Sequence, residues 1–327
     1  MKCLFVVNPY VVKTSADRIK SLVNSVVSNN KNYKDVKYEI IIPTTVIELE
    51  NQIKNKLEEE SISTVVAVGG DGTIAKVIQN IFDYPNVRLG IIPQGTGNLL
   101  AANLGISNNI EASLETVFFG QESLIDLGEV NGKPFTIMAG AGLLTEIVED
   151  IKPEDKVLYG VWAYFLKGLE RVYLTKESTF FITVDGKEIK IRGIGAFVAN
   201  AGNFLAPCPT LMPEAEPTDG YLDLCILSLK NFKEGPIDYA ELLLNYVTRN
   251  LKSTSKMQTF KAKDIVIDSS PKLKVQADGD IISDTPMAIK ILPKRLKVLV
   301  PNKATSFPPS ISELMDRVGE IFNISLR

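Results

Sequence analysis

Carboxylates flanked by glycine recur along this chain. The first such group, Gly69-Gly70-Asp71-Gly72-Thr73, follows the apolar run at 65–68 and precedes a helical pattern. Glycines between a buried strand and a helix let a phosphate approach the backbone, because no Cβ intrudes and the first helical amides point outward. An acid beside phosphates would be repelled unless Mg²⁺ lies between them or the acid accepts a proton from a hydroxyl nucleophile. A tight strand-to-helix turn with Asp71 as N-cap would explain the same residues without chemistry. A second stretch of the same layout, "IIPQGTGNLLA" at 91–101, would set another glycine turn beside the first, at the C-terminal ends of neighbouring strands where open α/β sheets bind ligands. Neither turn is a Walker A loop or a dinucleotide fingerprint. Two later acidic turns, "TDGY" at 218–221 and "ADGD" at 277–280, read on their own as strand-flanked hairpin turns.

The absence of histidine removes the usual triads and the usual neutral-pH acid/base residue, which leaves carboxylates as proton acceptors. A balance of 36 basic against 39 acidic residues, net −3, offers no broad basic face, so nucleic acid is a poor partner. Cys3, Cys208 and Cys225 are widely spaced and odd in number, with no C-x-x-C pairing, and read as reduced cytosolic thiols. The apolar start "CLFVV" closes at Asn8-Pro9, too short for a secretory core or a membrane span, and no later apolar run is long enough either. Membrane contact, if any, is expected to be peripheral.

The 327 residues suggest two domains. Strands expected at 3–7, 38–42, 64–68 and 88–93 alternate with helices at 15–29, 47–59 and after Asp71, which predicts an α/β unit with a parallel sheet covered on both faces. After about residue 125 short strands and turn residues take over, beginning with the hairpin "ITVDGKEIKI" at 182–191 and ending with "MAIKILP" and "LKVLVP". The expected division is therefore an α/β domain at 1–125 and an antiparallel β-sandwich at 126–293. The segment 294–327, with its amphipathic stretch "SISELMDRVGEIF", would pack back on the first domain.

Five motifs in order, "GGDGT" at 69–73, "PQGTGN" at 93–98, "IDLGEVNGKPF" at 125–135, "EPTDGYLDL" at 216–224 and "QADGD" at 276–280, resemble the diacylglycerol kinase catalytic domain, most closely the bacterial soluble lipid kinases. The resemblance spans nearly the whole chain. It implies a nucleotide-binding three-layer domain, a β-sandwich, ATP with Mg²⁺, and phosphorylation of a lipid hydroxyl in the interdomain cleft. By it, Gly69, Gly70, Asp71, Gly72, Thr73 and Thr96 would line the triphosphate, with Asn8 and Thr44 near the nucleotide. Asp71 and Asp126 would join a hydrated magnesium network, and Asp219 with the carbonyls of Glu216 and Tyr221 would match a metal site in the second domain. Asp278 and Asp280 would occupy the positions of the catalytic "DGE" motif, whose second acid is the suggested base. Here that acid is one methylene shorter. Leu99 also stands where many bacterial relatives carry an acid, and "NPYVVKTS" lacks the glycine common after Asn-Pro.

The acceptor side is expected to involve a helix at 155–172, with Lys156, Lys167 and Arg171 as candidate headgroup contacts, or else a core-facing helix of the same span. The proline-rich stretch at 203–213 is either a cleft rim or a rigid connector. The leading expectation is an ATP- and Mg²⁺-dependent lipid kinase in the cytoplasm that touches the membrane transiently, with a lipid as partner and a homodimer allowed. An NAD kinase shares "GGDGT" but accounts less well for "PQGTGN" and the late Asp-Gly turns. A catalytically silent lipid- or nucleotide-binding regulator is the alternative from another class.

Overall fold

The computed structural model describes residues 1–10, 16–28, 36–59, 61–150, 174–202, 215–227 and 257–302. The expected elements at 155–172, 203–213 and 310–322, and Cys208, lie outside these residues. The chain opens by alternating strand and helix: β1 (Lys2–Val7), α1 (Ala16–Ser28), β2 (Lys37–Ile41), α2 (Val46–Glu59), β3 (Thr64–Gly69), α3 (Asp71–Ile81) and β4 (Arg88–Pro93). Two shorter helices follow, α4 (Leu99–Asn103) and α5 (Ile110–Phe119). The strands pair in parallel in the order β2-β1-β3-β4. Both faces of this sheet are covered, as continuous apolar strands require. Leu4, Val6, Val65 and Ala67 pack with Leu49 and Ile53 of α2 and with Ile74, Val77 and Ile78 of α3. Their alternates Phe5, Val7, Val66 and Val68 pack with Ile19 and Val23 of α1 and with Leu114 and Val117 of α5. Sequence periodicity had not singled out α5, because its apolar residues do not keep to one face. The local signal was Asn109, whose side-chain oxygen accepts the Ala112 amide at 2.9 Å as an N-cap.

The remainder is mostly strand: β5 (Gln121–Val130), β6 (Lys133–Phe135), β7 (Met138–Gly142), helix α6 (Leu143–Asp150), β8 (Ser178–Val184), β9 (Lys187–Gly193), β10 (Gly195–Ala199), β11 (Leu222–Leu227), β12 (Met257–Ala262), β13 (Asp264–Ser270), β14 (Lys274–Ala277), β15 (Asp280–Asp284) and β16 (Met287–Val300). Six of these form an antiparallel sheet in the order β12-β11-β10-β7-β14-β15. Its apolar face (Ala139, Val198, Leu222, Leu224, Val275) meets Phe135, Phe180, Ile182, Ile265, Ile267 and Ile289 of the opposing sheet in one core. The result is an antiparallel sandwich. The hairpin β8–β9 turns at Asp185 and Gly186, both with positive φ (44° and 82°), as an Asp-Gly two-residue turn requires.

"MAIKILP" and "LKVLVP" form one strand instead of the two expected. β16 pairs antiparallel with β13 at its start and parallel with β4 near its end, while β5 runs antiparallel beside both halves. A register shift between Leu292 and Leu296, with Lys294 at φ 51°, lets the strand change partners. Pro293 is accommodated at this irregularity, where a missing amide donor does not break a ladder. The parallel sheet and one layer of the sandwich are thereby joined into a single ten-stranded sheet.

Candidate functional site

The two glycine turns lie against each other at the C-terminal ends of β3 and β4. A Cβ on Gly95 would stand 2.4 Å from the Gly70 Cα, and one on Gly70 would stand 3.0 Å from the Gly95 Cα, so here backbone must touch backbone. The Gln94 amide donates to the Gly69 carbonyl at 2.8 Å and fixes the register of the pair. Gly69 serves packing: a Cβ there would meet the Thr73 hydroxyl at 2.5 Å. That hydroxyl accepts a hydrogen bond from the Asn8 side-chain amide at 2.8 Å, which ties the end of β1 to the first turn of α3. A Cβ on Gly72 would enter open space. Asn98, at φ 50°, holds the second turn by accepting from the Gly95 amide at 2.8 Å and donating to the Gly95 carbonyl at 2.9 Å.

These turns form one wall of a cavity of about 1120 Å³. Of the residues expected to contact a nucleotide, Asn8, Thr44, Gly70, Gly72, Thr73 and Thr96 line it, and Gly69 and Asp71 do not. Of the three expected catalytic acids, only Asp280 lines it. Its carboxylate arrives from the start of β15 and receives a hydrogen bond from the Lys76 ammonium at 2.5 Å, across 204 positions of sequence. Lys76 lines the cavity too, and its ammonium also lies 3.3 Å from the Gln79 side-chain oxygen. Sequence reading passed over this lysine. Its signal was positional: it stands three and four residues after Thr73 and Gly72, on the face that the buried Ile74, Val77, Ile78 and Ile81 leave free.

Asp71 and Asp278 have different surroundings. Asp71 does not cap its own helix, whose N-cap is Gly70; instead it accepts the Leu99 amide at 2.6 Å and the Leu100 amide at 3.4 Å, capping α4 beneath the second turn. A Cβ on Gly97 would stand 2.9 Å from its other oxygen. Burial pushes the Asp71 carboxyl up to about 6, against the opposing pull of those amides and with the Asp278 charge adding to the rise. Asp278, at φ 46°, accepts from the Thr136 amide (2.7 Å) and hydroxyl (2.8 Å) and from the amides of Ile137 (2.9 Å) and Met138 (3.1 Å). Burial raises its pKa against those four bonds. It latches the β14–β15 turn to the β6–β7 connection, and so carries Asp280 to the cavity rim.

The acids expected at the two metal positions make the following contacts. Asp126 is buried, with one oxygen on the Lys294 amide at 2.6 Å and the other on the Gly220 amide at 2.7 Å. It secures the bend where β16 changes partners. Asp219 accepts the Tyr221 amide at 2.9 Å and the Lys261 ammonium at 2.5 Å, and the Glu216 carbonyl is turned toward the Asp219 amide at 3.4 Å. Partial burial pulls Lys261 down, and Asp219 and Asp223 more than reverse this, leaving its pKa above the usual lysine range. The Lys261 ammonium thus pairs with one oxygen of the carboxylate that was expected to bind an ion. Among the described residues, no cluster of three or more acidic, histidine or cysteine side chains could hold a metal ion, and no helix is long and apolar enough to cross a membrane. Cys3 and Cys225 are buried free thiols, both raised by burial, Cys3 to about 11.

Comparison with known proteins places the chain in a family. Residues 2–130 match the diacylglycerol kinase catalytic domain, and residues 140–300 match the YegS C-terminal NAD kinase beta sandwich-like domain. A diacylglycerol kinase of Staphylococcus aureus is 30% identical over 247 residues, 74% of this chain and 76% of that protein. An uncharacterized protein of Synechocystis sp. is 27% identical over 299 residues, 90% of this chain and 69% of that protein. The crystal structure of a diacylglycerol kinase from Bacillus anthracis str. Sterne shares the fold, with a TM-score of 0.72 at 20% identity over 92% of this chain and 97% of the other. Both halves of the chain, in order, and a relative matched over three quarters of its length lead to one conclusion: this protein belongs to the diacylglycerol kinase family.

Proposed function

We propose that the chain transfers the γ-phosphate of ATP to a hydroxyl of a diacylglycerol-like or related lipid, in the cavity where the paired glycine turns meet Asp280. One observation carries this reading: a bare backbone wall suited to phosphates and an accessible carboxylate from a distant part of the chain share one cavity. Residues 1–125 would supply the nucleotide side and residues 126–293 the acceptor side, with 294–327 returning to the first. The backbone of Gly70, Gly72 and Gly95 would accept the phosphates closely, with Thr73 and Thr96 as hydroxyl donors and Asn8 and Thr44 nearer the nucleoside.

Asp280 would take the proton of the acceptor hydroxyl as its oxygen forms a bond to the γ-phosphorus. The bond from that phosphorus to the β,γ-bridging oxygen breaks, and ADP leaves with the electron pair. Asp71 and Asp278 act at one remove, holding the second glycine turn and the β14–β15 turn in place. Among the described residues no three acidic side chains cluster around one point, and Asp71, Asp126 and Asp219 each accept amides or a lysine, so no all-carboxylate cage for a resident magnesium ion is formed. Magnesium enters this reading as part of the donor, the magnesium complex of ATP, which needs few protein ligands. An acceptor held in a bilayer calls for peripheral, reversible membrane contact.

The test is transfer of labelled γ-phosphate to diacylglycerol in mixed micelles, with NAD⁺ as a parallel acceptor. A labelled lipid lost in Asp280→Asn is the expected result. Label in NADP⁺ alone would favour an NAD kinase. ATP binding with no transfer to any component of a lipid extract would favour a non-catalytic regulator.

A further inference from the structure

We infer that Lys76 is the cationic contact for the donor's terminal phosphates and, through the same ammonium, the residue that positions Asp280; this rests on the nucleotide reading above. A nucleoside triphosphate brings several negative charges, yet among the described residues that line the cavity Lys76 is the one cation and Asp280 the one carboxylate. The other polar lining groups are neutral, among them Asn8, Tyr10, Thr73, Thr96 and Asn98, with the glycine backbone. Neutral donors and amides satisfy phosphate oxygens but do not balance their charge, and a charge-assisted contact is about twice as strong as a neutral one.

Position supports the assignment. Lys76 lies one turn along α3 from Gly72 and Thr73, so its side chain rises on the face that also presents the open space above Gly72. An ammonium has three donors. One is on Asp280 at 2.5 Å and a second is within reach of the Gln79 side-chain oxygen at 3.3 Å, which leaves a third for an anion in the cavity. Lys76 is three-quarters buried, so its charge is screened less than that of a surface lysine. A cation that touches both the transferred group and the acid would set the separation between phosphorus acceptor and base. It would also oppose the repulsion between Asp280 and the phosphates.

The experiment measures ATP and AMP affinity by calorimetry for the native full-length chain, Lys76→Met, Lys76→Arg and Asp280→Asn, with thermal melts to show that each variant folds. Loss of a charge-assisted contact predicts about 10- to 100-fold weaker ATP binding in Lys76→Met. AMP binding should be unchanged, because AMP lacks the phosphates the ammonium would reach. Lys76→Arg should restore most of the ATP affinity, and Asp280→Asn should bind ATP as tightly as the native chain or more tightly. Equal loss for ATP and AMP, or no loss for either, would overturn the assignment. Parallel losses in Lys76→Met and Asp280→Asn would do the same, since they would show the pair to be a structural link only. A native chain that binds neither nucleotide would instead overturn the nucleotide reading, and this inference with it.

Discussion

Two lysine–aspartate pairs in this molecule have the same contact distance, 2.5 Å, and different surroundings. Lys76 and Asp280 join α3 to β15 and line the cavity beside the paired glycine turns. Lys261 and Asp219 join the end of β12 to the turn before β11, with Asp223 a further 3.5 Å from the same ammonium, and lie away from that cavity. An ion pair therefore says little by itself. What distinguishes the first pair is that phosphate-compatible backbone converges on it, whereas the second meets other turn and strand groups of its own sheet. The remaining motif acids side with the second pair, since Asp71, Asp126 and Asp278 each accept backbone amides and none lines the cavity.

Changing the cavity pair should have the largest effect. Asp280→Asn should lower phosphoryl transfer by roughly 10²- to 10⁴-fold, the range of a lost general base, with little change in Tm because the side chain is half exposed. Full transfer in this variant would erase the distinction between the two pairs. Asp126→Ala sharpens the contrast from the scaffold side. It strips the Gly220 and Lys294 amides of their acceptor and should cost roughly 2–4 kcal/mol by denaturant unfolding. Native stability in that variant would show that the bend in β16 does not depend on it.

Asp71 yields a pH-dependent prediction. Its folded-state pKa, about 6, lies above the ordinary carboxylate value, so the folded chain holds this proton more tightly than the unfolded chain. The stability it contributes is full below about pH 4 and is lost as pH rises through about 6. Asp71→Asn keeps an acceptor for the Leu99 amide and cannot ionise. It should gain stability relative to the native chain between pH 4 and 7, on the order of 1–2 kcal/mol, in thermal melts across that range. A constant difference would mean that the carboxylate is not penalised by burial.

The smallest effect should come from the second pair. Lys261→Met should change stability by about 1 kcal/mol, because the lysine is itself partly exposed although it faces the buried Asp223 as well as Asp219. A chelator should leave the native Tm where it is, because Lys261 already balances Asp219. A chelator-induced fall in Tm would place a bound cation at that turn and overturn the reading of the pair.

The sequence carried a great deal of this. Apolar runs closed by turn residues located β1, β3 and β4, since such segments have few alternatives to a buried strand. Gly-rich turns with no room for side chains marked where backbone approaches backbone or ligand. Asp185-Gly186 specified its hairpin because only a few residue types tolerate two successive positive φ angles. Ordered motifs identified the family before any coordinates did. Tertiary structure alone decided which of five similar acids faces the cavity. Local sequence is nearly the same at Asp71-Gly72, Asp219-Gly220 and Asp278-Gly279, yet Asp71 and Asp278 are reached by amides from distant segments, Asp219 by its own turn and Lys261, and only Asp280 is carried to the cavity. It also decided that β16 is one strand with two sets of partners. Strand pairing is a contact between distant segments, and nothing within 287–300 records which neighbours the fold will supply. Lys76 shows the same limit, for a lysine on the polar face of a helix is ordinary until residue 280, remote in sequence, is brought beside it.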